Sequence, residues 1–263
     1  MLRGLYTSGL GMKVQAKLND VTANNLANVN TVGYKKDTGV VHSFPEMLLY
    51  RLGDTKKDNP SYLPPRVGYL GTGVLLEEVI PSVNVAGILR ETGNPLDAAI
   101  IGNGYFVVKG GPGGEERYTR QGSFKLAEDG MLVTNDGYPV LGERGAIYLR
   151  GSNIEINGAG EIFADGVPVD TLQVVSFVDV NGNDSQARLE KVGNTMFRHP
   201  DPQGVVPANG FLLRQGFLEG SNVNSVGEMV TMIQVMRAYE ANQKAIQAHD
   251  QTLEKAVNEV GRS

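Results

Sequence analysis

A chain of 263 residues with 41% hydrophobic and 20% charged content is long enough to bury a sizeable core in one or two domains. Its net charge of −5 argues against the basic face of a nucleic-acid binder, and the absence of cysteine excludes disulfides, thiol catalysis and thiolate zinc sites. No stretch approaches the ~18 consecutive apolar residues of a membrane span, and Met1-Leu-Arg-Gly-Leu-Tyr-Thr-Ser-Gly-Leu10 lacks the apolar run of a cleavable secretory signal.

The N-terminal stretch repeats apolar or small residues at alternating steps of three and four: Leu2, Leu5, Gly9, Met12, Ala16, Asn19, Ala23 and Leu26. Arg3, Lys13, Lys17 and Asp20 fall off that stripe, so the spacing predicts a helix over 2–28 with a coiled-coil-like seam. Gly9 and Gly11 lower helix propensity but permit close approach of a neighbour, and Gly33 is a natural stop. The asparagines that follow, Asn24, Asn25, Asn28 and Asn30, have the chemistry of a fraying helix end. A polar network between subunits is the alternative.

Residues 35–73 are less regular. Phe44-Pro-Glu-Met-Leu-Leu-Tyr50 has the pattern of a short helix, and the polar, proline-rich stretch 54–65 that of an exposed loop. From Val74 to Phe217 the chain is punctuated by turns. Strands are predicted at Tyr105–Val108, Arg117–Arg120, Ser123–Leu126, Met131–Thr134, Ile154–Ile156, Glu161–Ala164 and Leu172–Val178. Asn157-Gly158, Asp165-Gly166 and Asn181-Gly182 are hairpin signals. An antiparallel, barrel-like or sandwich-like region is expected, and with no βαβ alternation a doubly wound nucleotide fold is not.

The C-terminal stretch opens on a capping box, Ser225-Val-Gly-Glu228. A seam follows at Met229, Met232, Met236, Tyr239, Gln243, Ile246, Asp250, Leu253, Val257 and Val260. The polar members Gln243 and Asp250 can fix register or partner, and the methionines suit packing against non-identical neighbours. Pairing of the two helices with each other accounts for the pattern equally well. However, two narrow seams leave much apolar surface over, which calls for partners.

Catalytic and metal-binding patterns are weak. His42, His199 and His249 are too scattered for a local metal motif. Gly102-Asn-Gly104 lacks the third glycine of a dinucleotide loop, and Gly110-Gly-Pro-Gly-Gly114 lacks the Lys-Ser/Thr of a phosphate loop. Asp179, Asn181, Asn183 and Glu190 match positions of a calcium hand, but its obligatory glycine is Asp184. Glu77-Glu78 and Glu115-Glu116 are adjacent on strands, where neighbouring side chains face opposite ways, so neither makes an acid/base pair. No catalytic, cofactor or metal residues are expected, and no cofactor.

The fold class is therefore α+β: long N- and C-terminal helices forming a coiled-coil-like region, and a central antiparallel all-β domain. The expected divisions are a terminal helical polymerisation domain (1–34 plus 222–263), a linking segment (35–73 plus 200–221) and a β-rich domain (74–199). The seams give an expected subunit interface at Leu2, Leu5, Met12, Ala16, Leu26, Met229, Met232, Met236, Tyr239, Ile246, Leu253 and Val257, which Asn24, Asn25 and Asn28 would join on the reading of a polar network between subunits.

The block Asp20-Val-Thr-Ala-Asn-Asn-Leu-Ala-Asn-Val-Asn-Thr-Val-Gly-Tyr-Lys35 resembles the N-terminal signature of bacterial flagellar rod and hook proteins. Leu218-Glu-Gly-Ser-Asn-Val-Asn-Ser-Val-Gly-Glu-Met-Val-Thr-Met-Ile233 and Arg237-Ala-Tyr-Glu-Ala-Asn242 are similar to the C-terminal signature of that family. Thr92–Ile100, Gly104-Tyr-Phe106 and Tyr118-Thr-Arg120 match its middle, so the likeness spans nearly the whole chain. It implies a structural axial subunit of the flagellar basal-body rod, a drive shaft carrying motor torque to hook and filament. Its partners would be further copies of itself, other rod proteins and the flagellar type III export apparatus. Nucleic acid, a small-molecule substrate and a membrane span are not implied. Export without a cleaved signal peptide, a terminal coiled-coil tube with the β domain outside, and an inter-subunit role for the asparagines follow from the same resemblance. Ser43–Leu52 and Tyr138–Ile147 are nearer to proximal than to distal rod members. A distal rod protein is the first alternative, and a non-flagellar binding module and a cell-wall glycan hydrolase are the others.

Overall fold

The computed structural model describes residues 2–50, 66–110, 114–151, 153–178, 186, 189–193 and 195–260. The Asn181-Gly182 turn, the calcium-like loop up to its last position, the 54–65 loop and the tip of the 110–114 glycine run lie outside them. A helix α1 (Leu2–Ala27) opens the chain, a helix α2 (Ser225–Lys255) followed by a π-type turn (Ala256–Val260) closes it, and strands lie between. Among the described residues no helix is long and apolar enough to cross a membrane.

The chain forms two compact units. The first, residues 1–24, 38–80 and 226–263, holds most of both helices and two short β ribbons. Within it α1 and α2 run antiparallel. A Cβ built on Gly4 would lie 2.2 Å from His249 Nε2, and one on Gly11 would lie 3.0 Å from Asn242 Nδ2. Seven residues forward on one helix thus match seven backward on the other. Strand Asp37–Ser43 pairs with Val74–Pro81 to make the ribbon beside α1. Gly39 and Gly73 leave room there for the side chains of Leu18 and Leu10.

The expected short helix over Phe44–Tyr50 is not formed. Met47–Tyr50 is a strand, antiparallel to Arg66–Leu70. A short apolar run is ambiguous between helix and buried strand, and here a cross-strand partner decides it.

The second unit, residues 25–37 and 81–225, is the β body. Its largest sheet has six strands in the spatial order Glu190–Val192, Met196–Arg198, Glu116–Thr119, Tyr105–Lys109, Val174–Phe177, Val205–Pro207. The central strand Tyr105–Lys109 is buried on both faces, so its alternating side chains feed two cores. Phe106 and Val108 join Phe124, Leu132, Ile147, Ile162 and Leu213 on one side. Tyr105 and Val107 join Tyr118, Val175, Phe177 and Phe197 on the other. In that second cluster Tyr105 and Tyr118 lie with ring centroids 5.3 and 4.9 Å from Phe177, in the tilted and edge-on contacts aromatic pairs prefer. Each fully buried side chain of this size stabilises by roughly 1.5–3 kcal/mol. The expected turns at Asn157-Gly158 and Asp165-Gly166 connect the three-stranded sheet Ile154–Ile156, Glu161–Ala164, Val167–Thr171.

Candidate functional site: helix seams and the buried clasp at their roots

Two features of the chain are candidates for its work. The first is the pair of helix seams. On α2 the covered seam includes Glu228, Met232, Val235, Tyr239, Asn242, Ile246, His249 and Leu253, spaced alternately by four and three, with Ala238 and Ala245 beside it. Met232, Tyr239, Ile246 and Leu253 of the expected seam belong to it and are half-buried, whereas Met229, Met236 and Val257 are exposed, Val257 by 69%. On α1 the covered face runs Gly4, Ser8, Gly11, Gln15, Leu18, Thr22, Asn25, with Val14 buried beside it. Leu5, Met12 and Leu26 are half-buried at its edge, and Ala16 is exposed. The side chain of Leu2 lies outside the described residues. On α2 the intrachain seam thus shares alternate members of the apolar stripe, whereas on α1 it shares none and runs one residue before each stripe position. The glycines explain the offset, because the closest approach goes to the face with least side chain.

Outward on the first turns of α2 stands an apolar group, Val226, Met229, Val230, Ile233 and Met236, at helical spacing, with Thr231, Gln234 and Arg237 exposed beside it. On α1, Gly9 faces open space, unlike Gly4 and Gly11, with no atom within 4 Å of where a Cβ would sit.

The second feature lies in the β body, where α1 ends and α2 is about to begin. The last turn of α1 tightens into three-residue hydrogen bonds, Asn28 N to Asn25 O at 3.2 Å and Val29 N to Leu26 O at 3.4 Å. Gly33 then turns the chain at φ +70°, with the Gln121 amide where a Cβ would be. Its amide donates to the Glu219 carbonyl at 2.8 Å. The next residue but one, Lys35, reaches the Glu219 carboxylate at 2.7 Å, and both are about as buried as a side chain can be (1% and 2% exposed). Glu219 Oε1 also accepts the Gly87 amide at 2.9 Å, and its Oε2 lies 3.3 Å from Arg120 Nη1. Arg120 continues to the carbonyls of Ile100 and Gly102 and lies 5.0 Å over the Tyr105 ring.

Beside this ion cluster, Asn25 ties the end of α1 to the chain that follows it. Its Oδ1 accepts from Tyr34 Oη at 3.1 Å and from the Asp37 amide at 2.8 Å, and its Nδ2 donates to the Asp37 carbonyl at 2.9 Å. Lys191 closes the group, donating to Asp37 Oδ2 at 2.9 Å and to the Lys35 carbonyl at 3.1 Å, 3.8 Å over the Tyr34 ring. Asn222 accepts the Lys36 amide at 2.7 Å and donates to the carbonyls of Ser82 and Val85. Burial pulls the Lys35 ammonium below its ordinary pKa, outweighing the attraction of Glu219, and does the same to Lys191 against Asp37.

Of the asparagines expected at a subunit interface, Asn25 is 1% exposed and its side chain is engaged within the chain. Asn28 is half-buried and accepts a hydrogen bond from Thr31, and Asn24 is exposed. Sequence reasoning assigned no task to Tyr34, Lys35, Arg120, Glu219 or Asn222, although all five stand inside the blocks that carry the family resemblance. The available signal was charge inside an otherwise apolar or small-residue signature. Lys191 stands in no such block.

Three family models match the chain: flagella basal body rod protein over residues 5–35, the D1 domain of flagellar hook protein FlgE/F/G over 99–167, and the C-terminal region of flagellar basal body rod FlgEFG protein over 214–259. The flagellar basal-body rod protein FlgG of Buchnera aphidicola subsp. Schizaphis graminum is 36% identical, over 97% of this chain and 98% of that protein. The flagellar hook-basal body complex protein FlhO of Bacillus subtilis is 32% identical over the whole of both chains, and FlgG of the same organism is 34% identical over 98% of this chain and 99% of its own. This chain belongs to the flagellar basal-body rod protein family. It is a structural subunit of the rod in the bacterial flagellar basal body.

Proposed function

We propose that the subunit polymerises through its terminal helices into the inner coiled-coil tube of the rod, with the β-rich region outside it. The segments 1–34 and 222–263 polymerise, 35–73 with 200–221 links, and 74–199 forms the outer domain. The observation that carries this is the pair of seams. One face of each helix is used inside the chain, while Val226, Met229, Val230, Ile233 and Met236 stay apolar and outward. Ala16, Asn24, Met229, Met236 and Val257 then meet neighbouring copies directly. Leu5, Met12, Leu26, Met232, Tyr239, Ile246 and Leu253 border the contact.

The neighbours are further copies of the chain and other rod proteins, and the shaft transmits torque with no catalytic centre and no cofactor. The subunit reaches the periplasmic, wall-spanning part of the basal body through the flagellar type III export apparatus, without a cleaved signal peptide. Its place is the proximal rod, supported by the likeness of Ser43–Leu52 and Tyr138–Ile147 to proximal members.

Met236→Asp tests the polymerisation directly, because it puts a charge on the outward seam. The variant is expected to be exported with its β body folded and to be missing from isolated basal bodies. Wild-type incorporation would overturn the proposal. Tomography of basal bodies lacking this subunit tests the position: loss of the rod from its proximal segment is expected, and a short rod that stops before the hook would make the place distal.

A further inference from the structure

We infer that Glu219 couples the two terminal segments, so that neither the exit of α1 nor the entry to α2 comes loose without releasing the other. Residues 33–36 and 219–222 are 184 positions apart at the Lys35–Glu219 pair, yet they share partners and do not hold to the β body separately. The Glu219 carbonyl takes the Gly33 amide, and its carboxylate takes Lys35. The Val85 carbonyl accepts from Lys35 at 2.9 Å and from Asn222 at 3.1 Å. Asn222 in turn accepts the Lys36 amide.

The charges make the sharing costly to break from either side. Two buried cations, Lys35 and Arg120, face one buried carboxylate. If 219–222 leaves, Lys35 and Arg120 remain buried without a carboxylate, left with carbonyl dipoles and, for Arg120, the Tyr105 ring. If 33–36 leaves, the Glu219 carboxylate keeps the longer contact to Arg120 and loses the short one, and its carbonyl loses the Gly33 amide. A buried charge without its partner is penalised far more than a surface pair is rewarded. Gly87 stiffens the junction: a Cβ there would lie 1.8 Å from the Gly220 carbonyl oxygen, so backbone sits directly on backbone. Lys191 holds the 34–37 side from the sheet through Asp37, the Lys35 carbonyl and the Tyr34 ring. The two segments therefore open as one cooperative unit. Granting the rod role proposed above, a load arriving at either helix root is borne by both.

Hydrogen exchange on the purified full-length chain tests this, read by mass spectrometry on peptides covering 28–37 and 217–224. Glu219→Gln is expected to speed exchange in 28–37, and Lys35→Met to speed it in 217–224, each by about tenfold. Peptides covering 105–108 and 174–177 should stay at wild-type rates. Loosening confined to the segment that carries the substitution would overturn the coupling, and so would equal acceleration in the core strands, which would mean general destabilisation. Asn222→Ala, which leaves the ion cluster whole, is a milder probe should Lys35→Met fail to fold. It is expected to speed exchange in 28–37, and unchanged rates there would count against the inference. The measurement is made on the monomer, so it stands or falls independently of incorporation of Met236→Asp.

Discussion

The two units of this chain hold themselves together by different means. In the β body, Phe106, Phe124, Ile147, Ile162, Phe177 and Phe197 are essentially inaccessible to water, and its central strand is covered on both faces. In the helical unit, among the described residues, Val14 and Val235 are the buried hydrophobic side chains, while Tyr6, Met229, Ile233 and Met236 lie exposed. Its helices meet closely at Gly4 and Gly11, contacts that bring backbones together but bury little apolar area. A domain that spends its apolar residues on itself folds alone, whereas one that leaves them outward draws much of its stability from neighbours.

The comparison can be broken by substitutions placed on either side of it. Glu219→Ala strands Lys35 and Arg120 in the β body, and a loss of about 3–5 kcal/mol in its urea transition is expected. Ile162→Ala empties a fully buried site of the same unit and should cost about 2–5 kcal/mol by the same measurement. Equal losses from Ile233→Ala on α2 would erase the distinction. That exposed residue should change monomer stability by no more than about 0.5 kcal/mol while reducing incorporation into basal bodies.

Gly9→Ala should stabilise the helix by about 0.5–1 kcal/mol in the monomer, since nothing stands where its Cβ would go. A melting-temperature loss would mean that α1 already has a neighbour there. The subtlest effect concerns pH. Lys35 holds its proton less tightly in the folded chain than in the unfolded one, so the unfolded chain binds more protons as lysine begins to titrate. Stability of the β body should therefore rise with pH in the alkaline range below the ordinary lysine pKa. Lys191 shifts in the same direction, and Tyr118, whose pKa burial raises, pulls the other way above the ordinary tyrosine value. A urea series kept below that value should show the rise shrink in Lys35→Met.

Much of this was legible in the sequence wherever the determining contacts are local. Asp165-Gly166 marks a hairpin because both residues take the positive φ that a two-residue turn needs, whereas at Asn157-Gly158 the turn is longer and Gly160 supplies the positive φ. Both helices were legible from their period. Their orientation was legible only in part: on α2 the apolar stripe and the covered seam share alternate positions, on α1 the seam runs one residue before the stripe, and steric room at Gly4 and Gly11 marks the covered face. Strands such as Ala98–Ile101 and Leu89–Glu91 were missed. Their partners, Leu212–Gln215 and Phe217–Glu219, stand more than a hundred residues away, with no turn to announce the pairing. The clasp was out of reach for the same reason: Lys35 and Glu219 each look like a solvated charge until the fold brings them to 2.7 Å.

The seven-residue step between the Gly4–His249 and Gly11–Asn242 contacts has a further consequence. A heptad seam is periodic, so one helix can creep along the other by a whole repeat and find the same pattern of oily and polar positions. The two glycines act as keyways. Shift α2 by one repeat so that His249 meets Gly11, and Asn242 lands on Leu18, where there is no notch to receive it. A shaft that turns under load needs a joint that resists slippage along its own axis, and these two missing side chains supply it.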